Sequence, residues 1–258
     1  MPAALQAGLW GLLSGSALLI GAVAGWYAPL SRRIVAGIMG FGAGVLISAL
    51  SFELMDEAWR RSSDAGSGFA PVAAGFLGGA FIFTSCNYGL GLWGARHRKR
   101  SSPEHRARDR EANSTNGGAL ALGALLDGIP ESIVIGISLI EGPGVGLVAV
   151  IAIFLSNLPE GLSSAAGMKA EGRSPAFVFL LWAGIALISG LASSLGYFAF
   201  AGVDPGWIAA VQAVAAGAIL AMIVDTMVPE AFEGTQDFAG LVAVAGFLTA
   251  FALSKLAG

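Results

Sequence analysis

The chain alternates long apolar runs with short polar connections. Eight runs of roughly 19 to 26 residues carry few charges, and about 20 apolar residues in a helix suffice to cross a hydrocarbon core about 30 Å thick. The connections contain Pro, Gly, Ser or charged residues, as in PLSRR (29–33) and EGRSP (171–175), which are typical of helix ends. The pattern therefore predicts an all-α integral membrane protein with eight spans, at 5–28, 34–59, 69–93, 118–140, 144–167, 175–200, 207–228 and 238–256.

The composition agrees with this prediction and excludes an ordinary soluble domain. Of the 258 residues, 55% are hydrophobic and 12% are charged, whereas about a quarter of the residues of a soluble domain are charged. The 38 glycines are spread through the apolar runs, and small residues let membrane helices approach one another closely. We expect a single membrane domain over residues 1–258, whose glycine-rich faces could also pair two copies as a homodimer.

The longest connection, residues 94–117, is polar and strongly basic, and it joins spans three and four. Basic loops favour the cytoplasmic side of a membrane, so we expect both termini on the extracytoplasmic side and a location in the bacterial inner membrane. The only two histidines, His97 and His105, lie in this loop. Seven neighbouring cations would repel a divalent ion, so we expect contact with anionic lipids rather than metal binding, and no nucleic-acid partner.

Two pairs of spans repeat each other in sequence. Residues 42–59 align without gaps with residues 215–232, and residues 126–138 align with 155–167 around a shared Pro-Glu. Because the members of each pair cross the membrane in opposite directions, these are inverted repeats. Inverted repeats are typical of secondary transporters, whose binding sites lie near the bilayer midplane.

Spans four and five carry acidic residues deep within apolar sequence. Asp127 and Glu131 lie in span four, and Ser156, Asn157 and Glu160 lie in span five. An isolated carboxylate at the bilayer centre costs roughly 2.5 to 3.5 kcal/mol. Neither span contains Lys, Arg or His, so a salt bridge within them is excluded and protonation or a bound cation remains.

The spacing of these residues favours a shared cation site. Asp127 and Glu131 are four residues apart on one helix face, as are Ser156 and Glu160. A proline precedes each motif glutamate and leaves the carbonyl four residues earlier without its usual N–H partner. Free backbone oxygen survives in a membrane only where it lines a cavity or finds another partner. The motif thus predicts an oxygen-lined notch, although a cluster of protonated acids joining two helices is the alternative.

At this point the chain resembles a known family. The segments LLDGIPESIVIGISL (125–139) and LSNLPEGLSSAAGMK (155–169), with IVDTMVPE (223–230), are similar to the motifs of the ZIP family of divalent-metal transporters. The resemblance implies a 3+2+3 inverted-repeat bundle and a mid-membrane metal site of Asp127, Glu131, Ser156, Asn157 and Glu160. Asp127 takes the place of the family's motif histidine, so we expect one metal ion held mainly by oxygen.

The resemblance also implies what is transported and by which route. Zinc, iron, manganese and cadmium are the expected substrates, and ligation by oxygen alone favours the harder ions among them. Asp225 and Glu230 in the seventh-span region would line the inner path, while Glu53 and its acidic neighbours would attract cations at the outer entrance. The alternative for all of these is a helix end facing water, balanced near Glu53 by Arg60 and Arg61.

Two other functions fit membrane-embedded acids. An intramembrane hydrolase could pair Asp127 with Asp225 or use a bound metal to activate water, and an ion channel could use the same polar path. The sequence has no His-Glu-x-x-His pattern, and symmetric acids suit alternating access better than one-sided cleavage. We therefore expect a transporter that carries divalent metal ions into the cytoplasm, and not an enzyme.

Overall fold

Each predicted apolar run forms a helix in the computed structural model, which describes residues 2–92, 117–140 and 143–257. All eight helices contain a stretch that is long and apolar enough to cross a membrane, and no strand occurs in the described residues. The fold class is therefore confirmed as an all-helical, multi-pass membrane protein. The helices are α1 (Ala3–Tyr27), α2 (Arg32–Asp64), α3 (Phe69–Leu90), α4 (Gly117–Ser138), α5 (Pro143–Ala170), α6 (Pro175–Phe200), α7 (Pro205–Thr235) and α8 (Ala239–Ala257).

Two helices are longer than the apolar runs that predicted them. Helix α2 continues past residue 59 to Asp64, and α7 continues past residue 228 to Thr235. In α2 the extra turns carry acid–base pairs at helical spacing, such as Arg60 with Asp56 at 3.4 Å, so the backbone stays helical after the sequence becomes polar. The basic loop predicted at 94–117 lies outside the described residues except for Gly117, which begins α4, and His97 and His105 lie outside them too.

Polar caps fix where several helices begin. Ser31 accepts a hydrogen bond from the Ile34 N–H at the start of α2, and Ser174 accepts one from the Phe177 N–H at the start of α6. Asp204 accepts one from Gly206 at the start of α7. A proline follows the last two caps directly, where its missing N–H removes no helical hydrogen bond. The caps explain the sharp connections between these helices.

The packing of the helices follows a pseudo-two-fold pattern. The pattern relates α1, α2 and α3 to α6, α7 and α8, and it relates α4 to α5. Under this relation the contact between α1 and α5 corresponds to the contact between α6 and α4. In the same way, the contact between α2 and α8 corresponds to that between α7 and α3. The contact between α2 and α5 corresponds to that between α7 and α4, and all six contacts are present. Helices α2 and α7 run in opposite directions, because Gly234 lies against Arg32 and Ala36 while Gly40 lies against Ala231. The structure thus has the inverted arrangement that the sequence repeats predict, with α4 and α5 between the two halves.

Glycines bring the repeat-related helices together at matching positions. A methyl group on Gly44 of α2 would overlap the carbonyl oxygen of Ala243 in α8, and one on Gly217 of α7 would overlap that of Phe76 in α3. Gly44 and Gly217 are partners in the sequence repeat. Such close backbone contact is available only to glycine, and in a membrane this packing replaces the hydrophobic force that joins helices in water.

Both α2 and α7 contain a π-helical segment near mid-helix. The segments are Leu50–Met55 in α2 and Ile223–Met227 in α7. The repeat alignment pairs residue 50 with residue 223, so the two segments begin at equivalent positions. Glu53 and Asp225, two of the acids predicted to lie on the ion path, are within these segments.

Two adjacent glycines of α3 test the importance of this packing. A methyl group on Gly79 would overlap the backbone of Val214 in α7, whereas one on Gly78 would meet no atom within 4 Å. We expect Gly79→Ala to destabilise the protein by about 1–3 kcal/mol through overpacking. Gly78→Ala should leave stability unchanged or slightly raise it, because alanine is the better helix former. Thermal unfolding of the purified variants in detergent checks this, and equal midpoints would contradict it.

Candidate metal site

The predicted site residues lie on α4 and α5, between the two halves of the bundle. The side chains of these two helices that carry the motif are almost fully enclosed, with 1% to 5% of each residue exposed. The two helices contact each other, and each also packs against α1. The enclosed residues are Asp127, Glu131, Ser156, Asn157 and Glu160.

Pro130 and Pro159 lie inside α4 and α5, and both helices remain continuous through them. Nearby hydroxyls bond back to their own helix: Ser132 donates to the carbonyl of Gly128 at 2.7 Å, and Ser156 donates to that of Ile153 at 2.9 Å. A Ser156 hydroxyl that donates to its backbone can still offer oxygen lone pairs to a cation. Ser156 therefore keeps the chemistry of a ligand while its proton is occupied.

Asn157 joins the motif to α1. Its Nδ2 donates a hydrogen bond to the carbonyl oxygen of Ser14 at 3.1 Å. An amide uses its oxygen to bind a cation and its nitrogen only as a donor, so this bond fixes the side chain without using the ligating atom. In α4 the equivalent residue is Gly128, which has no such side chain. The sequence repeat aligns Gly128 with Asn157, but it does not predict that Asn157 is hydrogen-bonded to α1.

Glu230 is also part of the bundle interior. Only 2% of it is exposed, and its Oε1 accepts a hydrogen bond from Ser163 of α5 at 3.1 Å. Ser163 is three residues from Glu160, hence on the same side of α5. The bond extends the polar side of α5 from Glu160 towards α7. The interpretation of Glu230 as a water-facing helix end is therefore wrong, and Ser163 is a polar partner that sequence reasoning missed, although the helical spacing was a signal for it.

The remaining predicted path residues lie in different surroundings. Asp225 is on the exposed side of α7, and Glu53 is half-buried and accepts a hydrogen bond from Ser254 of α8. Glu57, near the C-terminal end of α2, forms ion pairs of 3.0 Å with both Arg60 and Arg61. The pairing with arginine fits the predicted alternative of a balanced helix end, but Glu57 and Arg61 are buried and do not face water.

The two motif prolines are packed unequally. On the α5 side, a methyl group on Gly42 of α2 would lie only 2.7 Å from the Pro159 ring. On the α4 side, the repeat-related Ala215 of α7 and Pro130 line a cavity of about 160 Å³, whose other walls are apolar residues of α3, α4 and α7. Two elements that are equivalent in sequence thus differ in packing, closed at α5 and open at α4.

The acids are buried but not assembled into a metal centre. Across the residues that the structure describes, no group of three or more His, Cys, Asp or Glu side chains lies close enough together to hold a metal ion. The convergence of Asp127, Glu131 and Glu160 on one ion therefore stays a prediction. The structure does place the acids on adjoining helices within one apolar bundle.

Comparison with known proteins gives one partial similarity. The chain matches no protein-family model. A stretch of 91 residues, 33% of the chain, is 34% identical to the zinc transporter ZIP11 of Bos taurus. The match spans a quarter of the length of that relative. The name of this relative is that of the family whose Pro-Glu motifs this chain resembles.

The Ser163–Glu230 bond can be tested with two neighbouring serines. Ser163→Ala removes a hydrogen-bond donor from a buried carboxyl group, which we expect to lower stability by about 1–3 kcal/mol. Ser164 is also buried but forms no side-chain hydrogen bond with any described residue, so Ser164→Ala is the matched control. Thermal unfolding of both variants measures the difference, and an equal effect of the two substitutions would contradict a role for the bond.

Proposed function

We propose that the protein carries divalent metal ions across the membrane through a carboxylate site on α4 and α5. One observation carries the proposal: Asp127, Glu131 and Glu160 are nearly fully buried on two adjoining helices at the centre of an apolar bundle. No Lys, Arg or His occurs in α4 or in α5 before Lys169. A transported cation would neutralise these carboxylates without requiring a permanent positive side chain.

The architecture supports transport over hydrolysis. Alternating access in inverted-repeat proteins needs two related halves that can exchange their packing around one site. Helices α2 and α7 belong to two such halves, and their contacts with the motif prolines differ, closed at Pro159 and open at Pro130. A hydrolase would need a water-activating group on one side only and would gain nothing from this duplication.

The partial similarity to a zinc transporter supports zinc as a substrate. The all-oxygen ligand set also suits manganese and ferrous iron, and cadmium as a zinc mimic. In this proposal Ser156 and Asn157 complete the ligand set, Glu230 receives the ion on the inner side, and Asp225 and Glu53 lie along the route. We also propose that the basic 94–117 loop faces the cytoplasm of a bacterial cell, which places both termini outside and makes transport inward.

Neutralising the motif glutamates tests the site. Glu131→Gln and Glu160→Gln should each reduce zinc uptake into sealed proteoliposomes by about tenfold or more, since changes even to outer-shell partners of a metal cost that much. Glu233→Gln is the matched control, because Glu233 lies on an exposed part of α7 outside the site. Unchanged uptake by both motif variants would refute the proposal.

The same assay separates the alternatives. Uptake by a transporter saturates with metal concentration, whereas flux through a channel does not. Metal flux without any lipid or peptide substrate argues against a hydrolase. Competition of manganese, ferrous iron and cadmium against zinc then orders the substrates.

Acidification should weaken uptake. Carboxylates bind a metal only after losing their protons, so protons and metal compete for the same oxygens. We expect the apparent affinity for zinc to fall as the external pH is lowered, with the maximal rate less affected. Zinc uptake measured over a pH series, with the membrane potential held constant by an ionophore, checks this, and an affinity independent of pH would contradict carboxylate ligation.

A further inference from the structure

A lysine without a carboxylate partner lies at the end of α5. Lys169 is exposed, and its Nζ donates a hydrogen bond to the carbonyl oxygen of Trp26 in the last turn of α1. The same nitrogen lies 5.6 Å from the centre of the Trp26 ring. Lys169 forms no ion pair with any residue that the structure describes. Its charge is therefore held in place on an aromatic surface and is not neutralised there.

A second cation lies across the short turn between α5 and α6. The Arg173 guanidinium carbon is 5.5 Å from the centre of the Phe177 ring. Its Nε lies 4.0 Å from a carboxylate oxygen of Glu171, at the limit of an ion pair. The turn thus presents two positive groups, each placed over an aromatic ring.

Aromatic rings beneath these cations join α1 to α6. Phe179 lies 6.1 Å, centre to centre, from both Trp26 and Tyr27, edge-on to the first and stacked with the second. Trp26, Phe177 and Phe179 pack against a core formed by α1, α4, α5 and α6. Tyr and Trp with snorkelling cations are typical of the headgroup depth of a membrane.

We propose that this aromatic–basic cluster binds the phosphate headgroup of an anionic phospholipid. The cluster consists of Trp26, Tyr27, Lys169, Arg173, Phe177 and Phe179. The phosphate would meet the two cations, and the acyl chains would follow the exposed apolar side of α6 below them, where Leu180, Leu187 and Leu191 are 61% to 73% exposed. The bound lipid would tie α1, α5 and α6 together at one membrane surface, whatever the protein transports.

The opposite end of the bundle offers a natural contrast. Lys255 of α8 lies 5.7 Å and 5.6 Å from the ring centres of Phe52 and Phe251. Here, however, the carboxylate of Glu53 is close by, because it accepts a hydrogen bond from the adjacent Ser254. An acid, Glu171, also lies beside the cations of the α5–α6 turn, but two cations lie over aromatic rings there and a single lysine does so here. This end should therefore bind an anionic lipid less strongly.

Quenching of Trp26 fluorescence measures binding at the cluster. The protein is reconstituted in phosphatidylcholine vesicles with rising fractions of phosphatidylglycerol brominated on its acyl chains, and brominated phosphatidylcholine serves as the reference. Subtracting the signal of Trp26→Phe, made in each background, isolates the response of Trp26. We expect phosphatidylglycerol to be preferred, and the preference to fall about fivefold for each charge removed in Lys169→Gln and Arg173→Gln.

Three comparisons make the result decisive. Lys169→Arg should keep the preference and Lys255→Gln should not change it. Inorganic phosphate at the concentration of the lipid phosphate should not displace the lipid. Each of three results would overturn the proposal: equal quenching by the two lipids, an unchanged preference in the double variant Lys169→Gln with Arg173→Gln, or full displacement by free phosphate. If the double variant does not fold, Arg173→Gln alone and Lys169→Arg still carry the test.

Discussion

The cost of a carboxylate inside a membrane is the constraint on which the rest of this structure depends. Asp127, Glu131 and Glu160 are nearly fully buried, and a charged acid at that depth costs several kcal/mol unless something neutralises it. Their helices lie between the two repeat halves, and α1 packs against both of them. The Asn157 bond to α1 and the Ser163 bond to Glu230 are how polar groups next to the acids find partners in that interior.

Close packing makes this central placement stable. Where lipid surrounds the bundle, apolar side chains gain little by leaving it for another helix, so backbone proximity and van der Waals contact must hold the helices together. The matched glycines Gly44 and Gly217 provide that contact in both repeats. The two repeats are nevertheless not packed identically, because the surroundings of Pro159 are closed and those of Pro130 are open.

Much of the architecture could be predicted from the sequence, because membrane thickness fixes helix length and hydropathy marks each span. The inverted pairing also followed, since the repeat between α2 and α7 is legible in the residues themselves. Contacts between distant segments could not be predicted: Ser163 reaches Glu230 only through the packing of α5 on α7, and Asn157 reaches Ser14 across 143 positions. The ends of α2 and α7 were not predicted correctly. Hydropathy marks only where the apolar residues stop, whereas the helical hydrogen bonding continues beyond that point.

The π-helical segments of α2 and α7 change which side chains of these helices face the bundle interior. A π turn holds one residue more than an α turn, so every position after it is rotated by about 100° relative to an unbroken α-helix. In α2, Leu50 and Leu54 within the segment pack in one apolar cluster, whereas Ala58 after it packs in another with Val72 and Ala213. A helical wheel drawn with 100° per residue along the whole helix omits this rotation. Because the π segment of α7 begins at the equivalent position, the same rotation of side chains occurs in both repeats, and the two copies stay matched beyond it.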